Sequence, residues 1–356
     1  MNAATRHDTL TAPGVQGGAV ARVHGGTDAQ GAARYDFSTN SNAMGPCPQA
    51  LQAVAQADAT RYPDASYSAL KSALAALHGV EAWRIVLAGS ASEFIFRITA
   101  LAARSGVRQV WLPSPSYGDY AQAARAWALG VTADPTQAGL LWGCDPSSPT
   151  GQSHLAWARH AASDLPALQA GLAVLDCAYT PLRLQGSAAL PEAVQRQCWA
   201  LFSPNKSLGL TGVRAAYALA PAHARGCADA LEALAPSWPV GAHGEAMLQA
   251  WASDAVQDWV RQSRVPLAAY RGQLQTLLQS LGWECLPSDT HYFCARPPQP
   301  LTAPQVAQLR SAGIKLRDTT SMGLPGWFRL SAQRPDACAA LGEALRQLTW
   351  KQETTQ

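Results

Sequence analysis

Lys206 is one of only four lysines in the 356 residues, and it stands in Phe202-Ser-Pro-Asn-Lys206-Ser-Leu-Gly-Leu-Thr-Gly-Val-Arg214, directly after the apolar run 198–202. A primary amine at the end of a buried strand, with hydroxyls and a glycine around it, is placed to form a Schiff base with a carbonyl group. Arg214, eight residues on, offers a planar fork that suits phosphate oxygens better than a lysine would. The two together point to a Schiff-base lysine facing a phosphate.

Other polar residues close apolar runs in the same manner. Asp176 ends the run 172–175, and a carboxylate there is costly to bury unless it meets a cationic partner. Tyr117 follows the run 110–112, where an aromatic ring can stack on a planar ligand or simply fill core. Gly89-Ser-Ala-Ser-Glu93 follows the run 84–87 and leads into a helical pattern. Small residues at such a turn expose N–H groups at a helix N-terminus, a cradle for phosphate. The same turn also reads as an ordinary capped turn, since it has neither the Gly-Lys-[Ser/Thr] of a nucleotide loop nor Gly-x-Gly-x-x-Gly. Asp145-Pro-Ser-Ser148-Pro-Thr-Gly151 is a rigid turn after the run 140–142.

The elements that carry these residues follow from the runs themselves. Six short, continuously apolar segments (84–87, 110–112, 140–142, 172–175, 199–202 and 215–219) alternate with helical spacers. That pattern marks an α/β fold with a mostly parallel sheet covered on both faces. In such sheets ligands gather beyond the carboxyl ends of the strands, which is where the polar residues stand. From Leu267 apolar residues at 267, 270, 274, 277, 278 and 281 keep a helical period and Gly282 supplies the stop. This helix leads into a smaller C-terminal α+β domain with strands at 292–295 and 327–330 and a closing helix from Pro335 to Leu348. The expected organisation is an N-terminal arm over 1–34, a large domain over 35–262 and a small domain over 263–356.

Composition narrows the function. A formal charge of +3 with 14% charged residues gives no electrostatic footprint for nucleic acid. Eight cysteines without any Cys-x-x-Cys pair read as free thiols in a reducing cytoplasm, with no metal site expected. No apolar stretch approaches the ~18 residues that would span a membrane, so a soluble protein is expected.

Taken in order and spacing, from about Asp36 to Arg329, these motifs resemble the fold-type I pyridoxal phosphate enzymes of the aminotransferase class I/II group. The resemblance implies pyridoxal 5′-phosphate as cofactor. Lys206 would hold it as a Schiff base, Asp176 would pair with its ring nitrogen, Tyr179 would reach O3′ and Tyr117 would stack on the ring. The phosphate would be held by backbone at Ala91 and Ser92, by Ser203 and by Arg214. Tyr62, in Arg61-Tyr-Pro63, matches the tyrosine that reaches the neighbouring subunit's cofactor, which implies a homodimer. Three positions depart from the pattern: Asp145 and Ser148 stand where the family turn carries asparagines, Ser148 in place of the one that would donate to O3′, and Asn205 stands where Ser or Thr is common before the lysine. Weaker cofactor retention or a raised pKa of the Schiff base is the expected consequence.

His24-Gly-Gly26 and the stretch 35–45, with 236–241 and 322–329, resemble the threonine-phosphate decarboxylases of cobalamin synthesis, relatives of histidinol-phosphate aminotransferases. On that resemblance Arg329 would bind the substrate carboxylate, with Arg317, His24 and Asn42 near a distal anion. The first expectation is therefore a lyase of the threonine-phosphate decarboxylase type acting on a small anionic amino acid. The close alternative is an aminotransferase of the histidinol-phosphate type, and a non-catalytic pyridoxal phosphate-binding regulator is a third.

Overall fold

A computed structural model describes residues 24–153, 159–160 and 162–348; the first 23 residues of the expected arm lie outside them. Strand β1 (Tyr35–Asp36) is followed by β2 (Ile85–Ala88), β3 (Gln109–Trp111), β4 (Gly130–Val131), β5 (Leu140–Cys144), β6 (Ala173–Asp176), β7 (Trp199–Phe202) and β8 (Ala216–Leu219). The C-terminal part adds β9 (Glu284–Cys285), β10 (Tyr292–Arg296), β11 (Ile314–Lys315), β12 (Arg317–Asp318) and β13 (Phe328–Ser331). Seven of these form the large sheet in the order β2-β8-β7-β6-β5-β3-β4. From β7 through β6, β5 and β3 to β4 every pairing is parallel, while β8 runs antiparallel to both its neighbours.

Successive side chains of a strand point to opposite faces, so a continuous apolar run needs cover on both. Val86, Val174 and Leu201 pack with Phe94 and Ile98 in one core, whereas Ile85, Leu87 and Tyr217 pack with Leu70, Leu74 and Leu248 in another. The helix Ala91–Arg104 starts where Ser90 Oγ accepts from Glu93 N (3.1 Å) and ends at Ser105 before Gly106, whose φ of +89° stops the turn.

The small sheet, β12-β13-β10-β9, is antiparallel and rests on a third core of Phe37, Leu274, Leu278, Phe293, Leu330 and Leu341. The helix leading into it spans Asp254–Ser280, thirteen residues longer at its start than the period from Leu267 suggests, and it carries Pro266 inside. Its continuity across position 262 means that no linker separates the two domains there. β1 pairs in parallel with β11, and Phe37 lies in the small-domain core. Residues 35–37, assigned from sequence to the large domain, are therefore packed on the small one. No helix among the described residues is long and apolar enough to cross a membrane.

Candidate active site

Six strands of the large sheet run the same way, so the residues after their carboxyl ends meet along one edge. Ser90–Ser92 follow β2, Tyr117 follows β3, Ser148 follows β5, Asp176 ends β6, and Ser203 and Lys206 follow β7. Arg214 instead precedes β8; because β8 is antiparallel, its start lies at that same edge. All of these residues line one cavity of about 650 Å³, which Arg317 and Arg329 enter from the small domain and His24 to Thr27 from the N-terminal side.

Lys206 Nζ lies 3.5 Å from Ser203 Oγ and 5.8 Å from the centre of the Tyr179 ring. Burial lowers the pKa of this amine; Arg214 and Arg329 push the same way and Asp176 opposes them. The shift favours the neutral, nucleophilic amine. Asp176 is shifted the other way, since burial raises its pKa against the donors that reach it. Those donors are the Tyr120 hydroxyl, 2.7 Å from Oδ2, and Ala178 N–H, 3.0 Å from Oδ1. Tyr179 is buried edge-on to Tyr292 (4.7 Å between centroids), and burial pushes its hydroxyl up to about 12.

At the start of the helix Ala91–Arg104 the capping is real: Ser90 takes Glu93 N–H, and Glu93 Oε2 accepts from Gly89 N (3.2 Å). It leaves the N–H groups of Ala91 and Ser92 with no protein acceptor among the described residues. Two free N–H groups at a helix N-terminus, with the exposed Arg214 across the cavity, suit a phosphate. Tyr117 forms a wall beside them, its hydroxyl donating to Asp119 Oδ2 (2.8 Å) and lying 3.2 Å from Ser92 Oγ. An amine, a buried carboxylate, a ring wall and a phosphate cradle in one cavity fit a phosphorylated, carbonyl-bearing heterocycle.

On the small-domain side Arg317 and Arg329 are direct partners across β12 and β13. Arg329 donates to Ser148 Oγ and to Ser38 O, both at 2.8 Å. Arg317 donates to Asp318 O (2.7 Å) and Ser321 Oγ (2.9 Å), and burial, reinforced by Arg329, pushes it down to about 10. Like charges directly opposite one another destabilise a sheet, a cost that an anion between them offsets.

The segment carrying His24 is fastened in place. Gly26 N donates to Ser38 Oγ (2.9 Å), and Asp28 is held by Lys315 (2.8 Å) and Arg310 (3.0 Å). A Cβ on Gly25 would come within 2.2 Å of Ser38 O, which is why the residue after His24 has no side chain. His24 itself is exposed, 6.4 Å from the Tyr117 ring.

One residue expected in the site is elsewhere. Asn42 does not line the cavity: its amide is used up by Ser207 O (3.0 Å), Ser263 Oγ (2.8 Å) and Met44 N (3.0 Å), and its N–H donates to Lys206 O. It braces the lysine loop from behind. Tyr62, expected at a neighbouring subunit's cofactor, lies outside this chain's cavity, 78% exposed and stacked on Trp238 at 4.3 Å. Asn40 takes the place expected of Asn42, lining the cavity with an amide that faces Tyr179 and makes no well-formed hydrogen bond. Two asparagines stand in Asn40-Ser-Asn42, and sequence alone does not say which faces inward. Tyr120 lines the cavity as well, and its spacing from Tyr117 puts it one helical turn deeper.

Comparison with known proteins agrees with this geometry. The family described as aminotransferase class I and II matches residues 34–345. A histidinol-phosphate aminotransferase of Jannaschia sp. is 30% identical over 323 residues, covering 84% of this chain and 87% of that protein. Histidinol-phosphate aminotransferase 1 of Bordetella parapertussis is 28% identical over 335 residues, covering 88% and 91%. Among solved structures, a histidinol-phosphate aminotransferase of Sinorhizobium meliloti in complex with pyridoxal-5′-phosphate superposes with a TM-score of 0.72 at 23% identity, covering 87% and 90%. The L-threonine-O-3-phosphate decarboxylase of Porphyromonas gingivalis gives a TM-score of 0.70 at 20% identity, covering 87% and 98%. The chain belongs to the aminotransferase class I and II family and is an enzyme whose cofactor is pyridoxal 5′-phosphate.

Proposed function

We propose that the enzyme is an aminotransferase of the histidinol-phosphate type, exchanging an amino group between a small phosphate-bearing amine and a dicarboxylic acid. The carrying observation is the buried pair Arg317 and Arg329, set side by side at the mouth of the lysine cavity. One arginine suits a carboxylate and its neighbour a phosphate or second carboxylate, so the dicarboxylic acid finds both anion sites and the phosphate-bearing amine one of them. The curated relatives named above support the choice of substrate.

Bound pyridoxal phosphate supplies an electron sink next to the substrate's Cα. The chain's residues do the rest. Ala91 and Ser92 N–H, Ser203 and Arg214 would take the phosphate, and Tyr117 would cover the ring. Asp176 would accept from the ring nitrogen and Tyr179 would donate to O3′. Lys206, whose amine burial keeps neutral, would hold the cofactor's carbonyl carbon and would move the proton at the substrate's Cα. Arg329 orients the carboxylate, with Arg317 and His24 toward the distal anion. Tyr62 is assigned to the cofactor of a partner subunit in a homodimer. Eight free cysteines suit a reducing cytoplasm.

Decarboxylation of threonine phosphate is the second reading, favoured by the His24 to Gly26 segment in the cavity wall. It needs one substrate carrying both anions. Incubation with histidinol phosphate plus 2-oxoglutarate, and separately with threonine phosphate, decides between them. Glutamate from the first supports the aminotransferase; carbon dioxide from the second with no glutamate from the first replaces it with the decarboxylase. Neither product would remove both.

A further inference from the structure

We propose that Tyr120 is a positioning residue for Asp176, keeping that buried carboxylate ionised and aimed at the cofactor's ring nitrogen. The role rests on the cofactor and stands whichever Cα bond breaks. Asp176 is 5% exposed at the end of β6, and a carboxylate so buried tends to take up a proton rather than keep its charge. A protonated Asp176 no longer stabilises a proton on the ring. What opposes protonation is hydrogen bonding to the charged form: Tyr120 on Oδ2 at 2.7 Å and Ala178 N–H on Oδ1 at 3.0 Å. Each oxygen still has a lone pair for the ring N–H.

Tyr120 is held so that its hydroxyl has little freedom. Its ring is 1% exposed, stacked on Trp142 (4.6 Å, 17° between planes) and edge-on to Tyr117 (5.7 Å, 85°). The residue that covers the ring site and the one that fixes its carboxylate thus share a single helical turn, Tyr117 to Tyr120. Cys144, paired with Asp176 across β5 and β6, also faces the carboxylate; burial and Asp176 raise its pKa and keep it a neutral thiol.

The test uses the full chain, stripped of cofactor and titrated with pyridoxal phosphate and with its 1-deaza analogue, in which a C–H replaces the ring nitrogen. Tyr120→Phe removes one hydroxyl and keeps the stack on Trp142. A lost hydrogen bond to a charged group predicts about a tenfold weaker affinity for pyridoxal phosphate, with less than about a twofold change for the analogue. Equal loss for both ligands would mean a packing role, and no loss for either would mean no role; both overturn the proposal. In an Asp176→Asn background Tyr120→Phe should add less than about twofold, because the partner it serves is gone. A full additional tenfold loss there overturns the proposal as well.

Discussion

Lys206 is the residue on which the chemistry depends, and its surroundings explain why it is reactive. Its amine is depressed by burial first and by Arg214 and Arg329 next, so the neutral form persists at a lower pH than for an exposed lysine. Lys206→Ala is expected to abolish both the visible absorbance of bound cofactor and all turnover; an active variant would overturn the assignment. Ser148 matters differently. Its hydroxyl accepts from Arg329 at 2.8 Å, so it serves the arginine whatever it does for the ring. Ser148→Ala should raise KM for the carboxylate substrate about tenfold or more, the worth of one hydrogen bond to a charged group, with a smaller effect on kcat. A fall in kcat at constant KM would count against that division. Asn205, another departure, is buried with its amide toward Thr211 O (3.4 Å), inside the loop that carries Lys206.

The turn bearing Ser148 is itself held by an ion pair. Asp145, its side chain 2% exposed, pairs with Arg183 and accepts from Ala189 N (2.9 Å) and Ser153. Removing one partner of a buried pair leaves the other charge uncompensated, so Arg183→Ala should cost about 3–5 kcal/mol in a urea melt. Adding Asp145→Asn should recover part of the loss; an unchanged or larger loss would show that the charge is not the issue. Asp145 looked like loop chemistry in the sequence because its partner is 38 residues away. Legibility varied with the range of the contact throughout. The six large-domain strands were readable because each is buried on both faces and so continuously apolar. β4 was not, being two exposed residues, and the direction of β8 was not, because hydrophobic periodicity carries no sign. The first half of the helix Asp254–Ser280 buries Val256 and Val260 one turn apart, but Ser263 and Pro266 break the apolar period before it resumes at Leu267. The pairing of β1 with β11 joins residues almost 280 apart, and no local signal marks it. Lys206, Asp176, Tyr117 and Arg214 were legible because their chemistry is unusual at strand ends, whereas the choice between Asn40 and Asn42 depends on packing.

At the scale of the whole molecule, the half-buried His78 and the buried His291 set how the fold responds to acid. Burial pushes both His78 and His291 down to about 4. His78 lies 2.8 Å from the Tyr217 hydroxyl, which also accepts from Trp251 Nε1, while His291 lies 3.2 Å from Asn40 O under the active site. An unfolded histidine titrates near 6.5, so between about 6.5 and 4 the unfolded chain binds more protons than the folded one, and stability falls as pH falls. Each histidine should withdraw roughly 1–2 kcal/mol by pH 5. The melting temperature is therefore expected to drop between pH 7 and pH 5, and less steeply in a His78→Gln variant; equal slopes would exclude His78 as a contributor. Assembly is the remaining property at this scale. Leu51, Tyr62, Trp238 and Val265 are exposed at 44%, 78%, 42% and 77%, on or beside helices that contact one another. Large apolar groups left open on neighbouring elements are what a two-fold interface covers, and a sedimentation mass near twice 37.6 kDa is expected. If Tyr62 serves the partner's cofactor, a Lys206→Ala chain and a Tyr62→Ala chain are each defective but complementary. In a mixed dimer the chain with an intact lysine receives an intact tyrosine from its partner. Random reassociation should then restore about a quarter of wild-type activity, since half the dimers are mixed and one site in each is whole. A mixture no more active than its Tyr62→Ala component would show that the tyrosine does not act across the interface.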